Sequence, residues 1–223
     1  MIAIVIYMVS CEFRGNTMPK DKTASRKKID IAIRQEFMEK GYEGASIRSI
    51  GERAGMTSAA LYRHYKDKNE MFSSLVSPLM HEMDRWMRHH EQGKYDMIKS
   101  NGNNEKLCGE SFIDLIKEII LPHRDEFYLL TSCSKGSSYE NFIHDFVDRN
   151  QGKMMEAIDY LKKMGYPVLP VSEEEIHMLL SAYLTALFEP IIHGYDNEKI
   201  RNYLERANDF FAPGWKKIMG LDS

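Results

Sequence analysis

SIRSIGERAGMTSAALYRHYKDK, residues 46–68, decides how the chain is read. Ile47, Ile50 and Ala54 recur at helical spacing, Gly55 stops that helix and Thr57 opens another. Gly51, four residues before Gly55, offers a bare backbone where a second helix can cross closely. Leu61 and Tyr65, four apart, give the second helix one buried edge. Ser58, Ala59, Tyr62, Arg63 and His64 are left facing outward. Such a face of small, hydroxyl, basic and imidazole groups suits the major groove of DNA.

Charge supports that placement. The 223 residues carry a net charge of −3, unevenly spread. Residues 18–68 hold 12 Lys+Arg and 7 Asp+Glu, whereas residues 69–223 hold 17 and 25. A basic first quarter on an acidic remainder fits a nucleic-acid module joined to something else. Three cysteines, Cys11, Cys108 and Cys133, are too few and scattered for a disulfide scaffold, and a cytoplasmic location is expected. No metal site or cofactor is expected: zinc spacing is absent, and the adjacent His89 and His90 diverge on a helix.

Upstream of the quoted stretch, residues 1–22 are expected to be a disordered or mis-annotated extension ending in a basic arm. The apolar run 1–9 is far shorter than the ~18–20 residues of a membrane span and lacks a basic start. Translation is expected to begin at Met18, and an intact mass retaining residue 1 or 2 would refute that. Lys20, Lys22, Arg26, Lys27 and Lys28 lead into a first helix with Ile29, Ala32, Ile33 and Phe37 as its core stripe and Gly41 as its stop. Two readings fit the arm, a phosphate contact and a solvated lead-in.

Downstream, every segment reads as helix. Met71, Leu75, Leu79 and Met83 set a long helix to about residue 90, with Pro78 expected to kink it near residues 74–77. Residues 93–104 read as a loop, and 105–121 as a helix stopped before Pro122. Residues 123–132 form a short helix, 139–164 a long one, and Ser172 with Glu175 a capping box opening a helix to about Ile191. The final helix spans 197–211 and is expected to break at Pro213-Gly214. The fold class is therefore all-α.

Several residues agree in order and spacing with one family. Phe37, Gly41, Tyr42, Ser46, Ile50, Ala54, Gly55, the run LYRHYKDK at 61–68 and Phe72 make residues 23–68 similar to the DNA-binding domain of the tetracycline-repressor (TetR) family. The resemblance implies a three-helix helix-turn-helix domain at 23–67 and a larger helical regulatory and dimerisation domain at 68–219. It implies a homodimeric regulator, commonly a repressor, that holds palindromic double-stranded operator DNA and answers to a small molecule. By position, Ser46, Ile47 and Arg48 would open the helix lying against the DNA backbone. Thr57, Ser58, Ala59, Tyr62, Arg63 and His64 would belong to the recognition helix, and Lys68 would meet a phosphate. Position 63, often aromatic in the family, is Arg here, which bears on base preference.

The small molecule is expected to be apolar or aromatic, held among Phe112, His123, Phe127, Tyr128, Phe142, Phe146, Met155, His177 and Tyr183, with 15 methionines in the chain to adapt around it. Core packing accounts for the same nine residues equally well. Dimer contacts are expected on the outer stripes of 173–191 and 197–211. An enzyme is not expected. Ser132-Cys133-Ser134-Lys135 matches S-x-x-K, but a chain with 17 Ser and 18 Lys meets that pattern by chance, and its companion motifs are missing. The remaining alternative is a helical adaptor that binds protein through the helix-turn-helix face. No membrane partner is expected.

Overall fold

The computed structural model describes residues 22–99 and 110–221, so the expectations for residues 1–21 and 100–109 lie outside the described residues. No strand occurs among the described residues. Among the described residues nine α-helices follow one another: α1 (Lys22–Gly44), α2 (Ile47–Ala54), α3 (Ser58–Leu61), α4 (Lys68–Lys99), α5 (Glu110–Leu115), α6 (Arg124–Ser132), α7 (Phe142–Lys163), α8 (Glu173–Ile192) and α9 (Asn197–Met219).

α1 changes direction at Gly41, whose φ of 67° a side chain would resist, so the glycine stop falls where the sequence puts it. Ile29, Ile33 and Phe37 of α1 close against Ile50, Leu61 and Tyr65, all buried. Phe72 from α4 meets Phe37 edge-on, with ring centres 5.1 Å apart, which sews the first three helices to the fourth.

Four boundaries differ from the sequence reading. α4 does not stop near residue 90: its 32 residues carry helix through 93–99, the start of the expected loop. A glycine inside a helix costs only ~1 kcal/mol against alanine, which neighbouring turns readily outweigh. Pro122 does not stop its helix. The chain winds on from α5 through a π turn (Ile116–Ile120) and a 3-10 turn (Leu121–His123), with Pro122 in the first turn, where its missing N–H is harmless. The break comes one residue later, at His123, with φ −115° and ψ 39°. α7 begins at Phe142 rather than 139, because Tyr139–Asn141 complete the preceding turn.

α9 runs through Pro213-Gly214 to Met219. A helical proline costs ~3 kcal/mol. Burying Trp215 and Met219 beyond it offsets that at ~1.5–3 kcal/mol per large side chain. The true end is Gly220, left-handed at φ 66°, and a Cβ there would lie 2.7 Å from the Pro167 carbonyl carbon. The α7–α8 linker thus crosses the end of α9, with the Leu169 N–H donating to the Ile218 carbonyl at 3.0 Å.

α4 passes through Pro78 as one element, with Ser74 and Ser77 hydroxyls bonded to the carbonyls of Met71 and Ser73. α8 is the one helix among the described residues with the length and apolarity of a membrane span. It lies within the bundle, with Ile176, Leu180, Tyr183, Leu184 and Leu187 buried.

Candidate nucleic-acid interface

α2 is built by its own caps. Ser46 is extended, and its hydroxyl accepts the Ser49 N–H at 3.1 Å. At the other end Gly55 is left-handed at φ 68°, donating its N–H to the carbonyls of Glu52 and Gly51. Gly51 acts as its spacing predicts: a Cβ there would lie 2.8 Å from the Met56 carbonyl oxygen. The turn into α3 needs that gap.

Beneath α2 sits a carboxylate that the pattern reading missed. Glu36 is 0% exposed. One oxygen accepts from Lys40 Nζ at 2.8 Å and the Ser46 N–H at 3.3 Å. The other accepts from Ser49 Oγ at 2.7 Å and Arg53 Nε at 2.9 Å. Burial pushes this carboxyl up, but the bonds from Lys40, Ser49 and the Ser46 N–H outweigh it and hold it below the usual glutamate range. Arg53 extends the network to Glu39. The signal lay in the sequence as a lone acid on the apolar stripe between Ile33 and Phe37.

α3 starts at Thr57, whose hydroxyl accepts the Ala60 N–H at 3.2 Å. Only Ser58–Leu61 is regular α-helix. The turn after it is tighter: the N–H groups of Arg63 and His64 reach three residues back, to Ala60 and Leu61. Leu61 and Tyr65 are buried as expected. Tyr65 Oη donates to Asp30 at 2.9 Å, so the short element is bolted to α1. Its other side stands free: Tyr62 is 52% exposed, and Arg63, His64, Thr57 and Ala59 are exposed beside it. Ser46 and Arg48 on α2 are exposed too, with Arg48 Nε donating to Glu52 at 3.0 Å. Ser58 is half-buried. Ile47 is partly buried and packs against the core.

Lys68 does not present a free ammonium. Its Nζ donates to the carbonyls of Tyr42 (2.8 Å) and Ala45 (3.1 Å) and lies 4.4 Å from the centre of the Tyr42 ring. That ammonium clamps α4 onto the α1–α2 turn, because those carbonyls have no helical partner and a cation satisfies them well.

The turn after α6 holds the same corner. The Tyr42 N–H donates to the Cys133 carbonyl at 2.7 Å, Asn69 and Ser138 exchange two bonds of 3.0 Å, and Ser73 and Tyr139 hydroxyls meet at 2.7 Å. Cys133 is a buried free thiol whose burial pushes its pKa up, and Lys135 of the S-x-x-K match reaches Glu43 at 3.5 Å.

The nine expected effector residues divide. Phe112, Phe127, Phe142, Phe146 and Tyr183 come together, Tyr183 touching Phe112, Phe112 touching Phe146, Phe146 touching Phe142 and Phe142 touching Phe127, with centres 6.0–6.2 Å apart. Tyr128 and Met155 pack partly buried against this core. The histidines are drawn elsewhere: His123 pairs with Glu82 at 3.0 Å, and His177 lies 2.9 Å from Gln151 Oε1 and 3.5 Å from Asp148. A cavity of about 160 Å³ opens between α4 and α7, lined by Met80, Met83, Asp84, Ser138, Tyr139, Phe142, Asp145, Phe146 and Arg149. Phe142 and Phe146 alone of the nine reach it. A second cavity, of about 150 Å³, shares Asp84, Phe146 and Arg149, and Arg149 bonds Asp84 at 2.8 Å along their common wall.

Residues 32–75 match the family of bacterial regulatory proteins described as the tetR family. The chain is 33% identical over 63 residues to the transcriptional activator FasR of Mycolicibacterium smegmatis, a match covering 28% of each chain. It is 40% identical over 54 residues to the transcriptional repressor AcnR of Corynebacterium glutamicum, spanning 24% of this chain and 29% of that one. The likeness to the transcriptional regulator SAR2658 of Staphylococcus aureus runs much further, with 30% identity over 195 residues, 84% of this chain and 94% of its relative. With a helix-turn-helix whose polar face stands free and a likeness that extends over nearly the whole of one relative, the chain belongs to the TetR family of DNA-binding transcriptional regulators.

Proposed function

We propose that this protein is a cytoplasmic repressor, divided at residues 67/68, that grips a palindromic operator as a homodimer and releases it on binding an apolar or aromatic effector. The observation that carries the reading is the free face of Tyr62, Arg63 and His64, held outward by buried Leu61 and Tyr65. Arg63 and Arg48 suit paired bonds to guanine or phosphate, and Thr57, Ser58, Tyr62 and His64 suit phosphate. Two copies would sit roughly 34–36 Å apart, one turn of DNA. Met178 (71% exposed) and Leu179 on α8, with Tyr203 and Phe210 (77% exposed) on α9, supply apolar surface for the second copy.

Effector control would run along α4. The helix clamps the α1–α2 turn through Lys68, meets Tyr139 through Ser73, and walls the α4–α7 cavity with Met80 and Met83. Each cavity is below the ~300 Å³ floor of small-molecule pockets, so a ligand would part α4 from α7 and break the Arg149–Asp84 bond. That movement would loosen the Ser73–Tyr139 contact and swing the recognition elements. A tenfold fall in operator affinity needs ~1.4 kcal/mol of preference for the parted state. Pro78 is the candidate hinge, and the hinge is lost if Pro78→Ala leaves effector release unchanged in a folded dimer.

Footprinting the purified protein on DNA flanking its own gene tests the whole reading. A symmetric protected site whose affinity falls steeply with salt supports it. Salt-insensitive binding, or no protected site at any promoter tried, favours the protein adaptor instead.

A further inference from the structure

We propose that His144, Asp148 and His177 form a binding site for a borderline divalent transition metal, zinc(II) or its neighbours, across α7 and α8. His144 and Asp148 lie four apart on α7 and share one face of that helix. His177 comes to them from the first half of α8. His144 Nε2 is 3.3 Å from Asp148 Oδ2, and His177 Nδ1 is 3.5 Å from Asp148 Oδ1. One ligating atom from each of the three lies within 4.8 Å of the others. Two ligands at ~2.0–2.1 Å from a tetrahedral zinc stand about 3.3 Å apart. Each histidine therefore already stands at coordination spacing from one oxygen of Asp148, and rotation of the exposed His144 and Asp148 side chains would bring all three ligands onto one ion.

The surroundings hold the third ligand in place. Gln151 Nε2 donates to the Glu173 carbonyl at 3.2 Å, which turns Gln151 Oε1 toward His177 Nδ1 at 2.9 Å. That oxygen steadies the imidazole and fixes the direction of its Nδ1. The three side chains are 65%, 51% and 32% exposed, so an ion reaches the site and water completes its shell. Two imidazoles and one carboxylate favour zinc, nickel or cobalt over magnesium and calcium, which take oxygen sets. Motif spacing could not find the site, because its ligands are 33 residues apart on two helices.

The test is a titration of untagged, chelator-stripped full-length protein with zinc(II) by calorimetry, and with cobalt(II) by visible absorption. One equivalent per chain with a dissociation constant of about 10 µM or tighter is expected, with magnesium at about 1 mM failing to compete. His177→Ala and Asp148→Asn should each weaken binding at least about tenfold with unchanged far-ultraviolet dichroism, while His193→Ala, outside the site, should bind as the parent does. Absence of saturable binding below about 100 µM overturns the proposal, as do triad variants that bind like the parent. No DNA enters the assay, so its outcome is independent of the regulator reading.

Discussion

The two parts of the molecule are held together by different chemistry. Around α2 and α3 a polar network is added to the apolar core: Glu36 with four donors, Thr57 and Ser46 as caps, and Gly51 and Gly55 at the turn. In α5–α9 the work falls to rings. Phe112, Phe127, Phe142, Phe146, Phe188 and Tyr183 pack in a continuous cluster. A bonded polar network tolerates almost no displacement, because each bond fails within a few tenths of an ångström and 30°. An aromatic cluster can repack. The face proposed to read DNA thus stands on the polar-bonded part, and the proposed effector would act on the ring-packed one.

Glycine substitutions test the contrast most sharply. Gly51→Ala puts a methyl 2.8 Å from the Met56 carbonyl, and we expect a loss of about 3 kcal/mol with collapse of DNA binding. Gly152→Ala, inside α7 with open space around it, should stabilise by up to about 1 kcal/mol. Thermal melts of both variants check the pair, and equal behaviour would break the comparison.

Glu36→Gln addresses the polar hub. At pH 7 it should cost about 1–3 kcal/mol in urea melts. The folded-state pKa of Glu36 lies below its unfolded value, so this contribution is full above about pH 4.3 and is lost as pH falls toward the folded value. The gap between parent and variant should therefore shrink in the acid range and persist at neutral pH.

Arg63→Ala should leave the melting temperature alone and weaken operator binding by about 1–3 kcal/mol, measured by titrating labelled DNA. Lys68→Ala should show the smallest effect. With its ammonium on the carbonyls of Tyr42 and Ala45, it should lose about 1 kcal/mol of stability and keep the parent's salt slope of DNA binding. A slope lower by about one would return Lys68 to the phosphate contact its position suggests.

How far the sequence could be read follows from the range of each interaction. The turn glycines, the caps at Ser46 and Thr57, the buried pair Leu61 and Tyr65 and the helix-only pattern were legible, since each depends on residues within about four positions. The hub at Glu36 was half legible: its place on an apolar stripe showed, its four donors did not. The ends of α4 and α9 were misread because proline and glycine carry a local cost that distant burial outweighs, as Trp215 and Met219 do beyond Pro213.

By itself, then, the sequence determined the helices, their turn and the outward face of α3, because backbone sterics and side-chain period act along the chain. Only the tertiary structure decided that Lys68 points into a turn, that Met80 and Met83 face Phe142 across a cavity, and that His177 meets Asp148. Those pairings join residues far apart in the chain, and nothing in a local pattern encodes which two helix faces will meet.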